Sequence, residues 1–184
     1  MKSKDDRLHL PAAGGYDKQM KKYLRLAKKL NMEDAVLIAP GQVCFDKRVM
    51  LKCRWGCDSD GNDSLKCGAR GTTFDERVEI IRCYTRILFL HSHNARELTR
   101  AALEIERAAF LDGYYLASAV RCCNFCENCF LEQGKECPFP EKIRPCDQLF
   151  GIDMYKTARQ LSFPCQVLKN RDERQNRYGL VLID

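Results

Sequence analysis

The sequence predicts one α+β domain built on a mixed sheet of about five strands and about four helices, with cysteine-rich loops at strand ends. Its 184 residues are 45% hydrophobic, which suits one sizeable core. Short β-branched and apolar runs alternate with stretches of helical periodicity. The twelve cysteines are far more than such a core needs, and many lie in two segments rich in turn-forming residues. These observations predict a single metal-binding domain over residues 1–184.

Residues 1–32 are predicted to form a basic amphipathic helical segment ahead of a metal-binding core at 33–184. Residues 1–30 hold nine Lys or Arg and three Asp or Glu, which accounts for the whole net charge of +6. One helical stripe is apolar and comprises Met20, Tyr23, Leu24, Ala27 and Leu30. The opposite stripe is basic and comprises Lys18, Lys21, Lys22, Arg25, Lys28 and Lys29.

This basic stripe has two interpretations. It is either an ordinary solvated surface or a docking face for an acidic redox protein. Nucleic acid is a weaker alternative, because aromatic residues are not interleaved with the charges. If the stripe docks a partner, reversing Lys21, Lys22, Lys28 and Lys29 to Glu should weaken association.

The first half of the core is predicted to contain two strands and two helices. The runs at 35–39 and 48–53 are short and apolar, so they are typical of strands. Thr73 and Glu76 form a capping-box pattern that opens a helix from about residue 74 to 91. His91 and His93 fall at its end, where the helix dipole favours histidine, and metal ligation is the less favoured interpretation. A second helix carries Leu98, Ala102 and Ile105 on one stripe and ends near Gly113.

The second half contains one further helix and three predicted strands. The segment 114–120 is predicted to be a strand that leads directly into a cysteine cluster. After the cluster, residues 151–161 indicate a helix, and residues 165–169 and 178–184 indicate a closing pair of strands.

Cysteine usage indicates metal or redox chemistry in the cytoplasm. The first residues carry charges where a signal peptide needs an apolar run, and no stretch approaches the roughly 20 apolar residues of a membrane span. Clustered thiols in a reducing compartment more often bind metal than form disulfides. The sequence contains no glycine-rich nucleotide-binding motif and no nucleophile-elbow motif, so nucleotide binding and serine hydrolysis have no support.

The main candidate site is a run of four cysteines in the form C-x2-C-x2-C-x7-C, followed by Pro138. Its members are Cys123, Cys126, Cys129 and Cys137. Two-residue spacers allow thiolates to surround one compact [4Fe-4S] cluster, whereas structural zinc sites usually pair two separated C-x2-C knuckles. The spacing therefore favours iron-sulfur binding over zinc. Cys122 is an alternative to Cys123 as the first ligand.

A second candidate set has the form C-x3-C-x9-C and comprises Cys53, Cys57 and Cys67. Three cysteines can hold a [4Fe-4S] cluster when its fourth iron takes another ligand, and an open iron is a Lewis acid able to bind substrate. Cys44, Cys83, Cys146 and Cys165 are unassigned; each is a candidate fourth ligand or a buried apolar residue. Nearby positive charge would raise the cluster potential, and it comes from Lys52, Arg54, Lys66 and Arg70.

The sequence resembles a family of predicted metal-binding proteins, domain of unknown function 2284, found mainly in anaerobic bacteria and archaea. The resemblance covers residues 35–184. It lies in "DKRVMLKCRWGC", "AAFLDGYYLASA", "CNFCENC", "CPFPEKIRPC", "GIDMYKTAR" and "YGLVLID", with Cys67 between them. The resemblance implies metal binding by the seven cysteines of the two sets and no established reaction. Two departures are Gly68 and Ala69, where the family has prolines, and Cys146, where it has serine.

The functional prediction is therefore an iron-sulfur protein with one or two [4Fe-4S] clusters, two being favoured by the spacing, acting in electron transfer within anaerobic metabolism. One alternative is an enzyme that binds substrate at the open iron of the Cys53, Cys57 and Cys67 site. A second alternative is a zinc-stabilised interaction module.

Overall fold

The computed structural model describes residues 20–55, 65, 71–170 and 172–184. Within these residues the strands are β1 (Asp34–Ile38), β2 (Ile87–Ser92), β3 (Ser118–Val120) and β4 (Arg177–Leu182). They form one sheet in the order β1-β2-β4-β3, and every neighbouring pair is antiparallel. The α+β prediction is confirmed, with four strands in this part of the chain instead of about five and with no parallel pair among them.

Five α-helices accompany the sheet in the described ranges. They are α1 (Met20–Lys29), α2 (Val49–Trp55), α3 (Phe74–Arg82), α4 (Ala95–Leu111) and α5 (Met154–Gln160). Single 3-10 turns lie at Pro40–Gln42, Leu131–Gln133 and Pro140–Lys142. None of the helices that the structure describes has the length and apolar character needed to span a bilayer.

The sheet is covered on both faces, and alternate strand residues supply the two cores. On one face, Leu88, Leu90 and Val181 pack with apolar residues of α1 and α4. On the other face, Phe89 and Leu180 pack with a cluster that includes Ile81 of α3 and Ala158 of α5. Because side chains alternate across a strand, the side chains on both faces of the central strands β2 and β4 are removed from water.

Helix α1 matches the predicted amphipathic segment and belongs to the core. Its apolar residues Met20, Tyr23, Leu24 and Ala27 are buried, and the predicted basic residues in the described part of the helix are exposed. Two side chains join it to the end of α4: Lys22 Nζ lies 2.6 Å from Asp112 Oδ1, and the Tyr23 hydroxyl donates to Asp112 Oδ2 at 2.7 Å. Lys22 therefore helps to attach α1 to α4, and its charge is paired within the protein. Lys18 lies outside the described residues.

The helix predicted for residues 74–91 is wrong in its second half. The Thr73 and Glu76 capping box is present, but α3 ends at Arg82 and the chain turns into β2 at Ile87. All six residues of β2 are buried. A strand covered on both faces is a continuous apolar run without alternation, and periodicity cannot distinguish it from a buried helix.

The histidines are consequently on a strand and just beyond it, so the helix-dipole interpretation is also wrong. His91 is buried in β2, with Nε2 2.9 Å from Asn176 Oδ1 and Nδ1 3.3 Å from Asp34 Oδ2. His93 Nδ1 lies 3.1 Å from the Gln175 carbonyl oxygen. Both rings therefore join neighbouring chain segments at the end of β2 through contacts with protein atoms.

Three other predicted strands need correction. Residues 48–53 begin helix α2, because Asp46 accepts hydrogen bonds from the Arg48 and Val49 backbone nitrogens and turns the chain. Residues 165–169 lie outside the sheet, and Val167 is 89% exposed. The strand predicted at 114–120 is confined to its last three residues, since turns occupy the preceding ones. The helix predicted at 151–161 is α5, and the final strand is β4.

Candidate metal centre

The four cysteines of the C-x2-C-x2-C-x7-C run lie in one irregular loop that follows β3. The loop spans residues 121–146 and is named here the cysteine loop. All four side chains are partly exposed, and no disulfide joins the ten cysteines that the structure describes. Only reduced cysteine can supply the thiolate that binds a metal, so all four residues remain available as ligands. The prediction of a cysteine-rich loop at a strand end is confirmed.

The base of the cysteine loop is closed by contacts with the fold. The Arg121 backbone nitrogen donates to the Pro145 carbonyl oxygen at 2.9 Å, which brings the two ends of the loop together. On α4, the Thr99 hydroxyl lies 3.3 Å from both the Cys122 carbonyl oxygen and the Asn124 nitrogen. The start of the cysteine loop is therefore attached to α4, and the Arg121–Pro145 hydrogen bond joins the end of the loop to this start.

An ion pair between α4 and the far end of the loop makes a second attachment. Arg144 donates to both carboxylate oxygens of Glu106, with Nε 2.7 Å from Oε2. The same Oε2 accepts the Ala119 backbone N–H at 2.6 Å. The Glu106 and Arg144 side chains are only 13% and 26% exposed. The hydrogen bond that Arg144 donates to Glu106 raises the pKa of Arg144, so the charged pair is mutually stabilised.

Aromatic packing brings two of the cysteine segments together across the loop. Phe125, next to Cys126, contacts Phe139, which lies two residues beyond Cys137, in an edge-on arrangement with ring centroids 5.5 Å apart. The Arg100 guanidinium of α4 lies 5.4 Å from the Phe125 ring centroid. These contacts hold the Cys126 and Cys137 segments on the same side of α4.

The seven-residue spacer between Cys129 and Cys137 folds back on itself. It contains the 3-10 turn Leu131–Gln133, which ends at Gly134 with a φ of 70°, and the Lys135 nitrogen donates to the Phe130 carbonyl oxygen at 3.0 Å. Glycine adopts this left-handed conformation without the steric cost that a Cβ imposes. The first part of the spacer therefore forms a compact turn directly after Cys129.

Cys122 and Cys123 occupy different surroundings, as expected for consecutive residues of an extended segment. Cys123 is close enough to Arg144 to influence its pKa. Cys122 instead shares a side-chain hydrogen bond with Cys146 and lies near Arg177 of β4. The contact with Cys122, together with burial, raises the pKa of Cys146. The structure thus separates two cysteines that are equivalent by spacing.

The second candidate set is only partly described. Cys53 lies on α2 and is partly exposed, whereas Cys57 and Cys67 lie outside the described residues. Among the unassigned cysteines, Cys44 Sγ lies 2.7 Å from Oε1 of Gln160 in α5. Cys165 Sγ lies 3.4 Å from the Tyr155 carbonyl oxygen, and Cys83 is exposed at the end of α3.

A metal fits the cysteine loop by donor type and number. The described residues contain no group of three or more His, Cys, Asp or Glu side chains positioned to hold a metal ion as they stand. Metal binding would therefore require the loop sulfurs to draw closer together, while the attachments at the base of the loop stay in place.

Sequence reasoning missed the residues that position the loop. Glu106, Arg144, Phe125 and Arg100 attach the cysteine loop to α4 and cross-link it. The only sequence signal for these residues is that Glu106 directly follows Ile105, a residue of the apolar stripe of α4. A single carboxylate there is also typical of an exposed helix edge, so its partner was not predictable.

One comparison with known proteins gave a match. A family model described as "Predicted metal-binding protein (DUF2284)" matches residues 36–183. No curated protein and no solved structure matches the chain. The match begins inside β1, so it includes both cysteine sets and excludes α1.

Proposed function

Because the chain belongs to the predicted metal-binding family DUF2284, we propose that its cysteine loop binds a [4Fe-4S] cluster and that the protein acts in electron transfer. The proposed ligands are Cys123, Cys126, Cys129 and Cys137. The observation that carries this proposal is that all four cysteines lie in one loop that follows β3. The loop is closed at its base by Arg121 and Pro145 and is cross-linked by Phe125 and Phe139.

The protein's part in this function is to position thiolates and to control their surroundings. A [4Fe-4S] cluster, when bound, would supply a one-electron couple whose potential depends on charge and hydrogen bonding around its sulfur ligands. Arg144 places positive charge near Cys123, and its ion pair with Glu106 keeps that charge in position. Partial exposure of the cysteines favours electron exchange with a docked protein, since the ligands lie at the surface.

The Cys53, Cys57 and Cys67 set is proposed as a second metal site. Cys53 is partly exposed near the end of α2, and in the sequence Cys57 follows it after a three-residue spacer. Three thiolates would leave one iron of a [4Fe-4S] cluster for another ligand. If that ligand is a substrate, this second site is where an enzymatic role would reside.

The test is elemental and spectroscopic analysis of the full chain purified without air. The expected result is about four irons and four sulfides per chain for the cysteine loop, or about eight of each with a second cluster. The protein should be brown, and its absorption should bleach on addition of dithionite. Zinc without acid-labile sulfide would overturn the iron-sulfur proposal and support a structural zinc module. A substrate at the second site would perturb the spectrum of one cluster only.

The proposed partner is an acidic redox protein that docks on α1. Lys21, Arg25 and Lys29 are exposed on this helix, so their charges face outward. Lys22 is excluded from the docking set because its ammonium group is paired with Asp112. Like-signed charges on one exposed face raise the encounter rate with an acidic protein, and salt screens the effect.

Reversing Lys21, Arg25 and Lys29 to Glu should slow association with an acidic partner by on the order of tenfold at low salt. Stopped-flow electron transfer to a purified acidic flavodoxin, measured over a series of salt concentrations, gives the rate. The control reverses Arg82, Lys156 and Lys169, three exposed basic residues elsewhere on the chain. Equal rates for the two triple variants at low salt would contradict docking on α1.

A further inference from the structure

The cysteine loop contains a pair of thiols that the four-cysteine set does not use. Cys122 follows β3 at the start of the loop, and Cys146 is its last residue. The hydrogen bond between the Arg121 nitrogen and the Pro145 carbonyl oxygen brings the preceding residues of both segments together. The side chains of Cys146 and Cys122 are also hydrogen-bonded to each other. Two cysteines distant in sequence are thus neighbours at the closed base of the loop.

The surroundings of this pair are charged and ordered. The Asp147 carboxylate accepts a hydrogen bond from the Cys122 backbone nitrogen, and its Oδ1 lies 3.7 Å from Cys146 Sγ. Arg177 of β4 lies near Cys122, and Arg121 is buried beside Gly179 of the same strand. The pair therefore rests on the edge of the sheet, while Cys123 faces Arg144. Cys122 is a partly exposed residue, so a small reagent can approach this end of the pair.

We propose that Cys122 and Cys146 form a redox-active dithiol site, separate from the four proposed metal ligands, whose substrate is a low-molecular-weight disulfide. The Cys122 thiolate attacks one sulfur of the substrate, the substrate S–S bond breaks, and one thiol leaves with the proton lost from Cys122. The Cys146 thiol then gives up its proton and attacks the Cys122 sulfur, which releases the second thiol. The protein loses two electrons and two protons, and the substrate gains both.

The position of the pair gives its oxidation a structural consequence. A bond between Cys122 and Cys146 would covalently join the ends of the cysteine loop at the place where Arg121 and Pro145 already meet. The closed segment contains all four proposed metal ligands. Closing a segment covalently restricts the conformations that it can adopt when it opens. The oxidised protein should therefore lose metal from the loop more slowly than the reduced protein.

The test uses the full chain, purified without air with its metal bound and then equilibrated in glutathione buffers of increasing oxidised fraction. Alkylation followed by intact mass measurement counts the remaining thiols. The wild type should lose two alkylatable thiols in one step, with a net mass loss of two hydrogens. Cys146→Ser should instead retain a glutathione adduct on Cys122, because the second attack is missing. Cys122→Ser should show no loss in that step.

Two matched variants separate this proposal from the metal proposal. Cys83→Ser removes an exposed cysteine at the end of α3 and should behave as the wild type. Cys123→Ser should keep the two-thiol step even where the loop no longer binds metal, so one proposal can fail without the other. A two-thiol step of equal size in Cys146→Ser, or none in the wild type under fully oxidised glutathione, would overturn the dithiol site.

Discussion

Replacing Cys126 with Ser should reduce the metal affinity of the cysteine loop by at least about 100-fold, because loss of an outer-shell partner alone costs 10–100-fold. A serine hydroxyl is a poor replacement for a thiolate, which is the form of cysteine that binds iron or zinc. Cys126 stands in the middle of the closely spaced run, and its neighbour Phe125 holds this segment against Phe139. The measurement is iron and sulfide per chain after anaerobic purification or reconstitution.

The control for this substitution is Cys165→Ser. Cys165 is also partly exposed and lies outside the cysteine loop, with Sγ 3.4 Å from the Tyr155 carbonyl oxygen. A serine hydroxyl can donate to the same carbonyl, so the fold should be retained and the metal content should equal that of the wild type. Cys126→Ser protein with full iron and sulfide content would remove Cys126 from the proposed ligand set.

Glu106→Ala should lower the free energy of unfolding by about 3 kcal/mol, because it leaves a largely buried charge and a backbone donor without their acceptor. Glu106 accepts from Arg144 and from the Ala119 nitrogen, so one substitution affects both the far end of the cysteine loop and the strand that leads into it. For a chain of this length, the loss corresponds to a fall in Tm of roughly 6–12 °C. Thermal unfolding followed by circular dichroism measures it.

Two further variants make the interpretation specific. Glu106→Gln keeps the shape and one acceptor oxygen, so it should lose less stability than Glu106→Ala. Glu104→Ala removes a carboxylate two residues earlier whose side chain is 50% exposed and 3.9 Å from Arg107, and it should change Tm little. Metal affinity should fall for Glu106→Ala and stay unchanged for Glu104→Ala. A Glu106→Ala protein that melts with the wild type would show that this ion pair does not anchor the loop.

Local signals predicted the parts of the fold that depend on neighbouring residues. The Thr73 and Glu76 capping box marks the start of α3, and helical periodicity identifies α1 and α4. These features were readable because a cap needs only residues three apart and an amphipathic helix shows its buried face in its own spacing. The location of the proposed metal loop was predictable for the same reason, since C-x2-C-x2-C is a local pattern.

The α+β class, the family and the cysteine loop could be predicted from the sequence, because their signals lie within short segments or in residue order. Tertiary structure decided which apolar runs enter the sheet: 87–92 is a central strand because helices cover both faces, whereas 48–53 forms a helix. It also decided the partners of consecutive cysteines, pairing Cys122 with Cys146 and placing Cys123 near Arg144. These outcomes depend on contacts between residues far apart in sequence, and neither periodicity nor spacing encodes which distant segments meet.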